Sequence, residues 1–146
     1  MLFRSAILML KEIRKMILPQ KFVDQMKSEA RRVWPIEACG LLLGRIENEV
    51  PRVSDLVLAE NVEKSTVSFT IDPQTLLQAY LRAETEAKEL VGIFHSHPAE
   101  ARPSGVDMKF MRMNPVTWFI VSMPSEAYAA YRLEGSELVP VKVILD

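Results

Sequence analysis

Cysteine is almost missing from this chain. Cys39 is the only one, so no intrachain disulfide can form, and a reducing, cytoplasmic setting is expected. A surplus of charge of one sign is missing too. Lys and Arg number 18 against 19 Asp and Glu, a net charge of -1 at pH 7. That balance gives no electrostatic case for nucleic acid or an anionic membrane as a partner. Long apolar runs are also lacking. In the N-terminal stretch MLFRSAILMLKEIRKMIL the longest uninterrupted one is Ala6 to Leu10, too short for a signal-peptide core or a membrane span. Internal repeats, low-complexity tracts and interdomain linkers are absent.

What remains is an ordinary globular composition. The 146 residues are 49% hydrophobic and 25% charged, which fits one domain. A chain of this length buries roughly two-thirds of its unfolded surface, so a core forms without covalent staples. Residues 1–18 read as an N-terminal amphipathic extension ahead of a domain spanning 19–146. Leu2, Ala6, Met9, Ile13 and Met16 recur at helical spacing, with Arg4, Lys11, Arg14 and Lys15 elsewhere on the wheel. Such a helix would pack on the domain or on a second subunit, as in a homodimer.

Periodicity predicts the rest. Pro19 suits a first helical turn, Phe22, Met26, Ala30 and Val33 continue it, and Trp34-Pro35 ends it. Cys39 to Ile46 is expected as a buried strand, Val53 to Leu58 as its hairpin partner, and Val67 to Ile71 as a further strand. Asp72 as cap and Pro73 at the first position open a second helix. Leu90 to Phe94 is a central strand running into the histidines, and a third helix spans the stretch from Ser104 to before Pro115. Val116 to Val121 is a strand, and Tyr128 to Leu133 and Leu138 to Ile144 form a hairpin about Glu134-Gly135-Ser136. The fold class is mixed α/β, with about seven strands and three or four helices.

The chemistry-bearing residues are few. His95 and His97 are the only histidines, and residues i and i+2 of a strand project to one face. Two imidazoles and a hard oxygen from Asp107, with one corner left for water, match catalytic zinc. Each residue also has a plainer role. An isolated His-x-His is often two unrelated side chains. Ser104-Gly105-Val106-Asp107 is by itself a helix-start signature, a Ser cap with an acid three positions on. Those two roles of Asp107 compete, because a carboxylate holding a metal is expected not to reach back to the cap backbone. Cys39 is expected as a small buried strand residue. Met108, Met111, Met113 and Phe110 fit the core and rim of the third helix.

In combination, His95-Ser96-His97-Pro98, Ser104-x-x-Asp107 and the upstream Glu37 resemble the JAMM (MPN+) zinc metalloprotease family. Glu37 stands in PIEACGLLLG, which is similar to the segment joining that family's first helix to its first strand. The similarity runs from about Met16 onward. One departure is the loop Pro98 to Pro103, six residues where the commonest form of the motif has seven. The resemblance implies a cytidine-deaminase-like layered sheet with flanking helices. It also implies that His95, His97 and Asp107 bind Zn2+ with a water as fourth ligand. Glu37 is then the general base, and Ser104 donates to the oxyanion. Ser96, between the ligands, should point to the opposite face of the strand.

The implied activity is that of an isopeptidase cutting after the C-terminal diglycine of a ubiquitin-like small modifier protein, in the minimal prokaryotic form. Residues around Thr66 to Thr70 and Ala99 to Arg102 are expected contacts for that substrate. The alternative within the same chemistry is trimming of a sulfur-carrier protein adduct in cysteine or cofactor synthesis. Outside it stand a non-catalytic scaffold of the same fold and a metal carrier.

Overall fold

Strand side chains alternate between two faces, and that alternation decides where every helix of this protein sits. The computed structural model describes residues 13–146. Among them run β1 (Lys15–Leu18), α1 (Gln20–Val33), β2 (Cys39–Glu47), β3 (Val50–Ala59), α2 (Pro73–Thr85), β4 (Glu89–His97), α3 (Gly105–Met113), β5 (Thr117–Ser122), β6 (Tyr128–Glu134) and β7 (Glu137–Leu145). The seven strands close into a barrel in the order β1-β3-β2-β4-β5-β6-β7, with β7 returning to β1. Pairing is antiparallel except at β1–β3, β1–β7 and β4–β5. The expected mixed α/β domain is present.

Successive residues on the central strands enter different cores. Leu42, Phe94 and Phe119 pack with Phe22, Val23 and Met26, the apolar stripe of α1. Leu41, Ile93 and Trp118 pack on the other face with Ala79 of α2 and Met111 of α3. Burying each large side chain contributes roughly 1.5–3 kcal/mol, so the central strands are anchored from both sides. The register between β2 and β3 slips between Leu43 and Gly44. A Cβ on Gly44 would lie 2.0 Å from the Arg52 carbonyl oxygen, so only glycine permits this close approach. No helix among the described residues is long and apolar enough to cross a membrane.

Three expectations change. The helix anticipated across residues 1–18 lies outside the described residues as far as Glu12. Beyond that point Lys15–Leu18 is a strand, with Met16 and Leu18 buried and Lys15 exposed. Its parallel pairing with β7 and β3 supplies the hydrogen bonds that a four-residue helix could not. Val67 to Ile71 is a loop with one isolated bridge, Asn61 to Ile71, flanked by bonds from Val62 N–H to Thr70 and from Asp72 N–H to Glu60, and the pairing extends no further. Asp72 does precede the helix with Pro73 at its first position, but its carboxylate accepts from Thr75 Oγ1 at 2.9 Å and caps no backbone N–H.

Candidate active site

β4 carries Ile93, His95 and His97 on the face that looks toward α2 and α3. His95 is fully buried and His97 half-buried. The neighbouring strand fixes where Glu37 falls. Cys39 pairs with His95. One residue further, Ser96 N–H donates to the Ala38 carbonyl at 3.0 Å, and Ala38 N–H donates to Ser96 Oγ at 2.7 Å. The contact thus continues one residue past the end of β2, to Ala38, the neighbour of Glu37. Ser96 takes the structural role expected of it, and through Ala38 it holds the backbone next to Glu37.

The third contributor arrives with α3. Ser104 caps that helix, accepting from Asp107 N–H at 3.1 Å, while Asp107 Oδ2 accepts from Ser104 N–H at 2.8 Å. The same Oδ2 lies 3.2 Å from His95 Nε2. One carboxylate oxygen of Asp107 thus serves the cap and meets His95 together. His97 is held differently: its Nδ1 is 3.0 Å from the Glu100 carbonyl, within the short loop after β4. A Nδ1–H donated there leaves the Nε2 lone pair free. The His95 and His97 ring centres are 5.9 Å apart, nearly edge to face.

These residues fit a metal ion by their chemistry. The 3.2 Å between His95 Nε2 and Asp107 Oδ2 is close to the edge of a tetrahedron with bonds of about 2.0 Å. The structure brings His95 and Asp107 together in this way. His97 stands beside them, and among the described residues no three His, Cys, Asp or Glu side chains converge tightly enough to form a ready-made metal group.

Buried polar atoms without partners mark the same place. Both carboxylate oxygens of Glu37, which is 2% exposed, lack a hydrogen bond, and so does His95 Nδ1. Unsatisfied buried groups of this kind are rare in folded proteins and cluster where a ligand or reaction completes them. Burial pushes the Glu37 carboxyl up to about 8, and the negative charges of Asp107 and Glu63 add to the rise. Burial also works against the Asp107 charge, but the hydrogen bond and charge of His95 and two hydrogen bonds from Ser104 outweigh it. Asp107 stays below the ordinary carboxylate value. Cys39 is no part of the site. Its thiol is buried, donates to the Ala59 carbonyl at 3.6 Å, and is pushed up to about 12, first by burial and then by Glu29 and Glu37.

Sequence reasoning missed the aromatic wall. Phe69 stacks on His95 with ring centres 4.8 Å apart and 20° between planes, and Trp118 meets both rings edge-on. Phe69 lies within Thr66 to Thr70, expected only as a substrate contact, yet it packs inward. Val67 of that loop is 68% exposed and remains available outside. Nothing local in the sequence marks Trp118 or Asn61, which meet the site only through the fold.

Comparison with known proteins shows the family. A family model described as prokaryotic homologs of the JAB domain matches residues 19–134. The chain belongs to that family. Within the JAB family it is 39% identical over 112 residues to a desampylase of Pyrococcus furiosus, covering 76% of this chain and 77% of that one. It is 33% identical over 114 residues to a CysO-cysteine peptidase of Mycobacterium tuberculosis, covering 73% of each. The solution structure of protein DSY2949 from Desulfitobacterium hafniense matches with a TM-score of 0.80 at 29% identity, over 90% of this chain and 92% of that one.

Proposed function

We propose that this chain is a zinc-dependent isopeptidase that hydrolyses the amide bond after the C-terminal diglycine of a ubiquitin-like small modifier protein. It is a JAB-family peptidase. The observation that carries the finer reading is Glu37: a buried carboxylate, both oxygens unpartnered, close enough to Asp107 to feel its charge. The likeness to a desampylase supports the substrate class.

His95 and His97, each through Nε2, and Asp107 would hold the ion. Bound zinc supplies a Lewis acid that polarises the scissile carbonyl and brings the acidity of a water close to neutral pH. Glu37 takes a proton from the attacking water and returns it to the leaving amine. Burial raises the proton affinity of Glu37 above that of an ordinary Glu, which favours acceptance of that proton. Ser104 Oγ receives the Asp107 N–H on a lone pair, so its own proton remains free to donate to the developing oxyanion. Phe69 and Trp118 keep water off the His95 face.

A second reading keeps this machinery and changes the substrate to a sulfur-carrier protein adduct. The likeness to a CysO-cysteine peptidase favours it. Both substrates present a flexible diglycine tail, so the site residues alone do not divide them. Incubation with a modifier joined to a lysine side chain, and separately with a carrier extended by cysteine, followed by mass measurement, divides them. Release of intact modifier from lysine supports the isopeptidase, and cleavage of the cysteine adduct alone would replace it with the second reading.

A further inference from the structure

We infer that Asn61 is a positioning residue that sets the general base and a metal-ligand imidazole from one side chain. The inference rests on the role proposed above for Glu37. Asn61 is 6% exposed, at the point where the chain leaves β3, and every hydrogen-bonding valence of its amide is used. Nδ2 donates to the Glu37 carbonyl at 3.0 Å and to the Ser68 carbonyl at 3.1 Å. Oδ1 accepts from Glu63 N–H and Thr70 N–H, both at 3.1 Å. The partners fix the orientation of the amide, since a flip would set its oxygen against two carbonyls and its NH2 against two N–H groups.

These four partners lie on two sides of the site. The Glu37 side chain makes no hydrogen bond of its own, so the aim of its carboxylate depends on its backbone. That backbone is gripped by Asn61 at the carbonyl and by the Ser65 carbonyl at the N–H, 3.0 Å away. Of the other three partners, Ser68 and Thr70 flank Phe69, whose ring stacks on His95, and Glu63 precedes them in the same loop. A side chain that held only the loop would need no bond to Glu37. One that held only Glu37 would need none to the residues around Phe69. Asn61 joins the two, so a shift of the loop that exposes Val67 is transmitted to the base and to the histidine together.

The test uses zinc-loaded protein and a modifier joined to a lysine side chain of a reporter protein. Asn61→Ala is expected to lower kcat by about 10- to 100-fold with little change in KM and with bound zinc retained, the cost of a misaimed base. The same substitution in a Glu37→Gln background is expected to cost at least about threefold less, because one of the two groups through which Asn61 acts is gone. A merely structural role would cost the same in both backgrounds. A second readout needs no substrate. The His95 ring proton resonance, displaced by the stacked Phe69 face, moves toward its unstacked position in Asn61→Ala, and the Ala38 amide resonance moves with it. Asn61→Asp keeps the acceptor oxygens and removes the donors to Glu37 and Ser68, so it shifts Ala38 and, with Thr70 still attached, moves His95 less than the alanine variant does; it serves also if the alanine variant fails to fold. Unmoved Ala38 and His95 resonances in a folded variant, or equal losses in both backgrounds, overturn the inference. Absence of cleavage by the parent protein would instead count against the isopeptidase, with the resonances still deciding the role of Asn61.

Discussion

A carboxylate buried with neither oxygen hydrogen-bonded is costly, and Glu37 carries that cost whenever no cation is nearby. Its protonation makes the cost measurable. The carboxyl titrates at about 8 in the fold against 4.5 as an ordinary Glu. Below both values it is protonated in both states and contributes nothing to the slope. Between them the unfolded chain has released a proton that the fold still holds, so the stability of metal-free protein falls as pH rises across this window. Glu37→Gln removes that slope and raises the stability of the metal-free protein at pH 8 by about 2 kcal/mol after solvent screening, read by denaturant titration. A slope unchanged by the substitution would place the carboxylate in a wetter setting. Phe69 yields a companion expectation. Phe69→Ala uncovers His95 and lowers zinc affinity by about 10- to 100-fold, as loss of a supporting neighbour does, in competition with a chromophoric chelator.

At the level of elements, the site depends on pairings that hold backbones to within tenths of an ångström. The β2–β3 slip at Gly44 is one of them: a methyl group there meets the Arg52 carbonyl. Gly44→Ala is expected to destabilise by about 3 kcal/mol, seen as a fall in thermal midpoint far larger than Gly105→Ala shows at the open start of α3. Most elements were legible before the structure because their periods are unambiguous. The stripe of α1, the Asp72-Pro73 helix start and the apolar run into His95 each allow one reading. β1 was not legible. Met16 and Leu18 alternate over only four residues, Ile13 and Met16 also fit a helix, and the partners that decide the matter are far away in sequence on β3 and β7. Val67 to Ile71 misled in the opposite direction. Phe69 and Ile71 turn inward against the α2–α3 core, which gives a strand-like alternation to a loop that lacks a ladder.

For the whole molecule, β1 closes the barrel by bridging β3 and β7, and Met16 sits fully buried among residues from α1 and the strands. Met16→Ala should therefore cost about 3 kcal/mol and lower the thermal midpoint by roughly 10 °C. Local change there would contradict the closed barrel. The candidate residues Glu37, His95, His97, Ser104 and Asp107 were legible by type, and the fold draws them from β4, from α3 with its cap, and from the segment ahead of β2. What the sequence could not convey was the manner of assembly: Ser96 and Asn61 holding the backbone around Glu37, and Phe69 and Trp118 walling in His95. The most direct test of the central claim is cleavage of a modifier–lysine conjugate by four samples: the parent protein, chelated protein, chelated protein with zinc restored, and zinc-loaded Glu37→Gln. Activity in the first, none in the second, recovery in the third and a loss of about 100-fold or more in the fourth with zinc still bound is the expected result. Cleavage that survives chelation, or a Glu37→Gln protein as active as the parent, would contradict it.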